Sequence, residues 1–252
     1  MALIDGAARR VRRGSTLLLP YVPAPEQVLE TVRLFHPAAE QRGDTIRTAD
    51  GIALRGPVAI TPRVARRAGI PPGWPVAYVS KRGAELVPGL AHRMGGRWFH
   101  DGRPIRRRDA DHHRATVYLP ARPEPASLSA LLLPYASPVT GSRQLKEAED
   151  VVMLDGIAYT QVKGGGVDLY VGGRIAGLVR PATERPYALG ALRGNSELLT
   201  CDLAEAEVLE QVPAELAMDV AQASLTIAEA YGGVALDLDG YRITRPEDLL
   251  PR

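Results

Sequence analysis

Arginine carries most of the chemistry that this sequence could perform. Arg63, Arg66 and Arg67 stand at i, i+3 and i+4 behind Thr61-Pro62, so on a short helix they share one face. Lys81 and Arg82 follow, then Arg106, Arg107 and Arg108, while Arg9, Arg10, Arg12 and Arg13 come before them. Cations grouped in this way can neutralise phosphates. The set Arg63, Arg66, Arg67, Lys81, Arg82, Arg106, Arg107 and Arg108 is therefore the candidate binding face. A solvated basic surface uses the same residues, and 28 arginines against 3 lysines reflect a GC-rich genome rather than guanidinium chemistry. No helix-turn-helix, zinc-finger or ribonucleoprotein pattern is present, and aromatic residues make up only 5% of the chain for stacking on bases.

The remaining candidates for chemistry are incomplete. Asp237-Leu-Asp239-Gly240 resembles the first motif of haloacid-dehalogenase-type phosphatases. That family places Thr where Tyr241 stands and has further motifs downstream, whereas 12 residues follow Gly240. A hairpin turn with Asp237 on its solvent side is the alternative. Gly172-Gly173-Arg-Ile-Ala-Gly177 needs a following helix to act as a dinucleotide loop, but Arg174 to Arg180 is strand-like. Lys163-Gly164-Gly165-Gly166 lacks the Lys-Ser/Thr ending of a P-loop. His100, Asp101, Asp109, Asp111, His112 and His113 are close in sequence without forming a metal-ligand spacing. Cys201 lies in an apolar strand-like run, as a small buried hydrophobe does. No catalytic residue, metal site or cofactor is expected from these patterns.

The elements that would position the basic residues show an internal echo. Leu19-Pro20-x-x-Pro23-x-Pro25 recurs 100 residues later as Leu119-Pro120-x-x-Pro123-x-Pro125. Each follows a strand-like run, Ser15 to Leu19 or Ala115 to Leu119, and precedes an apolar helical spacing with Pro at its first turn. Asp50-Gly51-Ile52-Ala53 is echoed by Asp155-Gly156-Ile157-Ala158. Ala84 to Met94 and Ala214 to Tyr231 are helical patterns closed by Gly95-Gly96 and Gly232-Gly233. A strand follows each, then Asp101-Gly102 or Asp239-Gly240, then a second short strand.

The expected fold is α+β, an internal duplication giving two pseudo-symmetric lobes, each a small mixed or antiparallel sheet covered by helices. Residues 1–14 form a basic N-terminal arm, 15–112 a first repeat, and 113–252 a second repeat with a Gly-rich insert at 163–194. The polar stretch Arg106 to His113 marks the boundary.

With 252 residues, 45% of them hydrophobic and 24% charged, the chain can bury a core. It has no apolar run of the roughly 18 residues that a membrane span requires. One cysteine and no signal-peptide pattern make the cytosol the expected compartment. The net charge of +2 conceals a split: residues up to Arg114 carry 20 basic and 10 acidic groups (+10), the rest 11 and 19 (−8). Such segregation bears on partners rather than on fold.

Gly56-Pro-Val-Ala-Ile-Thr61-Pro62, Val76-Ala-Tyr-Val-Ser80 and Gly96-Arg-Trp98-Phe-His-Asp101-Gly102 together resemble a stretch of an uncharacterised family of GC-rich bacteria encoded beside type VII secretion genes. The resemblance covers about residues 56–105 and implies an association with that pathway, without any catalytic identity. The EspG-type chaperones of that pathway are also two-lobed, an analogy of architecture alone. The first expectation is thus a non-enzymatic adaptor or secretion-chaperone-like module whose partner is another polypeptide. The alternative is a nucleic-acid-associated protein using the basic half, and an enzyme comes third. No membrane partner is expected.

Overall fold

The computed structural model describes residues 2–82, 84–105, 114–135, 158–161, 167–170, 175–192, 198–205 and 214–250. The chain divides into two compact units, one running to Arg107 and the other from Arg108 to Leu250. Both mix helices with strands, and every strand pair described is antiparallel.

The first unit opens with helix α1 (Ala2–Arg13), within the stretch read as a basic N-terminal arm. Ala8 and Val11, three residues apart, are buried, and the four arginines occupy the remaining positions of the last two turns. Strand β1 (Ser15–Leu19) and helix α2 (Pro25–Phe35) follow, with Pro25 at the first helical turn, where its missing N–H costs no bond. The hairpin β2 (Glu40–Arg42) and β3 (Thr45–Arg47) leads to β4 (Ala53–Ala59), α3 (Pro62–Ala68), β5 (Val76–Ser80) and α4 (Leu86–Arg93). Two short strands end the unit, β6 (Arg97–His100) and β7 (Arg103–Pro104). The Thr61 side chain caps α3 by accepting from the Val64 N–H at 3.3 Å, and Gly69 (φ 73°) closes it in a left-handed conformation.

The sheet order is β2-β3-β4-β5-β1-β6-β7. Taken as β1-α2-β4-β5-α4-β6, this is the split β-α-β connectivity of ferredoxin-like units, with a hairpin added at one edge. All five residues of central β1 are buried because helices cover both faces. Leu18 packs with Val11 of α1, Ala68 of α3, Ala77, Val79 and Phe99. Leu17 and Leu19 point the other way, where α4 lies on β1 and β6 and α2 on α4.

The second unit contains β8 (Ala115–Leu119), α5 (Pro125–Leu132), β9 (Ala158–Gln161), β10 (Val167–Tyr170), β11 (Ile175–Pro181) and a 3₁₀ turn over Tyr187–Leu192. After it come β12 (Leu199–Glu205), α6 (Ala214–Tyr231), β13 (Val234–Asp237) and a 3₁₀ turn over Pro246–Leu249. Four strands pair in the order β11-β12-β8-β13, and β9 pairs with β10 separately. Val117 and Leu119 join Leu128 of α5 and Val220 and Ile227 of α6 in one core, while Tyr118 faces Ala188 and Leu189 on the opposite side.

Similar pairing registers occur in the two units. Thr16 stands between Val79 and Phe99, and Thr116 between Asp202 and Leu236. Leu18 stands between Ala77 and Arg97, and Tyr118 between Thr200 and Val234. Gly95 and Gly232 both turn left-handed, at φ 61° and 64°. A Cβ on Gly96 would lie 2.6 Å from the Leu18 carbonyl oxygen, and one on Gly233 would lie 2.6 Å from that of Tyr118. The last turns differ by one residue: Ile105 N–H donates to Trp98 O, and Ile243 N–H to Ala235 O, each at 2.9 Å.

One echo does not pair in this way. The match of Asp50–Ala53 with Asp155–Ala158 would put β9 in the place of β4, yet β11 occupies that place beside β12. Asp-Gly marks any tight hairpin turn, so it carries little information about which hairpin it closes. The stretch 163–194, read as a Gly-rich insert with strands on either side of Gly172-Gly173, contains β10 and β11 at those places, and among the described pairs β10 joins β9 while β11 joins β12. Asp155 to Ile157, Lys163 to Gly166 and Gly172-Gly173 lie outside the described residues.

Candidate functional site

Helix α3 turns Arg63, Arg66 and Arg67 outward because Val64 and Ala68 take the buried positions between them. With Thr61 and Pro62 they line a concavity of about 540 Å³. Arg67 also borders a second one, of about 410 Å³, whose other walls are Ala8, Arg9, Arg12 and Arg13 of α1. Arg9 and Arg13 in turn border a third and larger groove of about 930 Å³. Shared residues join the three concavities into one basic face. Among the described residues that line them, none is acidic.

The large groove is a consequence of sheet geometry. Helix α1 covers β5 and β1 but stops short of β4 and β3, so part of that sheet face stays open. Thr45 pairs with Arg55 and Arg47 with Ala53, and alternation puts all four on the same face. They form the floor; Gly6, Arg9, Arg10 and Arg13 form the wall, and Lys81 and Arg82 follow the end of β5. Gly14 lets α1 approach the sheet, since a Cβ there would lie 2.7 Å from Val79 Cγ1 and 2.9 Å from the Ser80 oxygen.

Polar side-chain contacts brace this region. Arg55 Nε lies 2.7 Å from Asp44 Oδ2, and the Arg55 guanidinium holds the Asp44 carboxyl below the usual carboxylate range. Across the sheet, His36 Nε2 lies 3.2 Å from Asp50 Oδ1, and the Thr48 hydroxyl donates to the same oxygen. These contacts tie the β3–β4 turn to the end of α2.

Of the residues singled out in the sequence, the structure thus brings Arg63, Arg66, Arg67, Lys81 and Arg82 onto a face that α1 links. Arg106, Arg107 and Arg108 lie outside the described residues, as do Asp109, Asp111, His112 and His113. Arg47 and Arg55 were not among the candidates. Their signal was the alternation Thr45-x-Arg47 and Ala53-x-Arg55 on either side of the Asp50-Gly51 turn.

The other chemical candidates take structural roles. Asp237 is buried, 9% exposed, rather than on the solvent side of its hairpin. Its Oδ1 accepts from the backbone N–H groups of Asp239 and Tyr241, each at 2.9 Å, so it caps the turn that Asp239-Gly240 makes. Strand β13 runs antiparallel to β8, unlike the central parallel strand that a phosphatase aspartate terminates. Cys201 is fully buried, and burial, with Asp202 nearby, pushes its thiol up to about 12, so little thiolate exists near neutral pH. His100 lies 3.7 Å from Asp101 and tilts against Trp98 at 6.0 Å. Among the described residues no three His, Cys, Asp or Glu side chains converge as metal ligands would, and no helix is long and apolar enough to cross a membrane.

Comparison with known proteins adds no relative: no family model, curated protein or solved structure matches the chain.

Proposed function

We propose that the chain is a non-enzymatic binding module that holds an anionic macromolecule, a nucleic-acid backbone, on the arginine face of its first unit. The observation that carries this reading is the continuity of the face, from Arg63 on α3 through Arg67, Arg9 and Arg13 to Arg47 and Lys81, with no acidic lining among the described residues. Gathering like charges destabilises a free surface, and a polyanion that releases counterions on binding offsets that cost. We further propose that the two units are copies from an internal duplication. The matched registers around Thr16 and Thr116, and the equivalent close approaches of Gly96 and Gly233, support this. In that alignment much of the extra length of the second copy falls between α5 and β9, and the rest includes α6, 18 residues against the 8 of α4.

An adaptor or secretion-chaperone-like module for another polypeptide is the second reading. Tyr21 and Val22 stand 38% and 67% exposed in the Leu19–Pro25 loop, and the resemblance of residues 56–105 to a secretion-associated family points the same way. Two side chains are a small patch beside the several hundred Å² typical of a docking surface, which places this reading behind the first.

Fluorescence anisotropy with a labelled oligonucleotide, read from about 50 to 200 mM salt, tests the proposal. Binding that weakens steeply with salt is expected. Absent binding at the low end, or binding indifferent to salt, removes it, and preferential capture of an acidic or apolar peptide would favour the adaptor.

A further inference from the structure

Resting on that reading, we infer that the groove between α1 and strands β3 and β4 seats one single nucleic-acid strand by its phosphates, without reading its bases. Cations approach the groove from two directions, Arg9 and Arg13 from the helical wall and Arg47 from the strand floor, beside Arg55, whose charge Asp44 pairs, with Lys81 at one end. A strand lying between them meets guanidinium groups on both sides, in the forked geometry that suits phosphate. No aromatic side chain is among the described lining residues. The base-stacking platforms of single-strand binding folds are thus missing from it, and selectivity among bases has no structural source.

A duplex fits less well. The major groove of B-DNA alone is about 12 Å wide, so a concavity of about 930 Å³ suits one extended strand better than a whole double helix. Helix α1 buries Ala8 and Val11 on one side and lies along the wall of the groove with Arg9, Arg10 and Arg13.

The charge is not a by-product of the fold. Arg55 pairs with Val79, which pairs with Thr16. At the same register in the second unit, Leu178 pairs with Asp202, which pairs with Thr116. Lys81 and Arg82 follow Ser80 at the end of that ladder, whereas Ala204 and Glu205 follow Leu203. Strands in the same arrangement therefore form with no cation at these positions, so the sheet pairing itself does not require Lys81 and Arg82.

Gly6 gives a variant that separates binding from stability. A Cβ there meets only the tip of Arg10, at 3.9 Å, so Gly6→Glu is accommodated and favours the helix while placing an acid in the groove. Gly6→Glu, Arg13→Ala and Arg47→Ala each lower the net charge by one, as does Arg122→Ala on an exposed loop of the second unit. With the full chain and a labelled oligothymidylate, the three groove variants should each weaken binding about fivefold or more, and each arginine variant should reduce the log–log salt slope by about 0.7. Arg122→Ala should stay within about twofold, and oligoadenylate should bind like oligothymidylate.

Groove variants no worse than Arg122→Ala, or a duplex bound more tightly than the single strand, would overturn the inference while leaving the basic-face reading intact. Strong preference for one base would also overturn it. Failure of single strand and duplex alike at low salt would remove both the inference and the reading on which it rests.

Discussion

At the scale of single residues, what separates a chemical group from a structural one here is where its polar atoms go. Asp237 sits in a motif that could host a nucleophile, but it is buried and its Oδ1 already accepts two backbone N–H groups. Cys201 is disarmed differently, by burial. Its folded pKa of about 12 lies above the ordinary thiol value of 9.0, so the unfolded chain loses this proton first as pH rises. The stability contributed by keeping the thiol protonated is complete below about pH 9 and is lost as pH climbs towards 12, at roughly 1 kcal/mol or more per pH unit. Chemical denaturation at successive alkaline pH values should therefore show the wild type losing more stability than Cys201→Ala. Tyr78, whose hydroxyl burial also raises its pKa, is common to both proteins and cancels. Parallel losses in the two would contradict the burial argument.

At the scale of elements, two glycines decide how closely a helix can return to its sheet. Gly96 and Gly233 each follow a left-handed residue, and their N–H groups reach back five residues, to Ala91 O at 2.8 Å and Ala228 O at 2.7 Å. The chain then turns into β6 or β13 against the backbone of β1 or β8. Because a Cβ at either site meets a carbonyl oxygen at 2.6 Å, the collision involves backbone rather than a movable side-chain tip. Gly96→Ala and Gly233→Ala should each cost about 1–3 kcal/mol, measured by urea unfolding, and by similar amounts if the two junctions are equivalent. A neutral substitution at either site would show that the junction opens more readily than the register implies. Helix α1 makes the complementary point, since Gly14 allows its end to lie on β5, and that placement exposes the β3–β4 floor on which the proposed ligand rests.

At the scale of the molecule, the division at Arg107 separates the charge as well as the contacts. The first unit has a two-faced sheet with cores on both sides and holds every described residue of the basic face. A fragment ending at Arg107 should consequently unfold cooperatively and retain salt-sensitive oligonucleotide binding close to that of the full chain. Circular dichroism during thermal unfolding and anisotropy on the same sample check both statements. A fragment without a cooperative transition would show that the first unit depends on the second to fold.

Local features were legible in the sequence because they rest on local physics. Ser15–Leu19, Ala115–Leu119, Pro62–Ala68 and Ala214–Tyr231 follow from apolar periodicity, proline at first helical turns and glycine at helix ends, each settled by residues a few positions apart. The shared helix face of Arg63, Arg66 and Arg67 was legible for the same reason. What the sequence left open was which strands become neighbours. The Asp-Gly echo pointed to β9 as the counterpart of β4 in the second unit, while hydrogen bonding placed β11 beside β12 as β4 lies beside β5, and a dipeptide holds no record of the strand it will face. Only the tertiary structure brought Arg47 and Arg55 beside Arg9 and Arg13, residues some 34 to 46 positions apart in the chain. Sheet pairing and the packing of α1 are non-local, so the groove between them exists only once the first unit has folded.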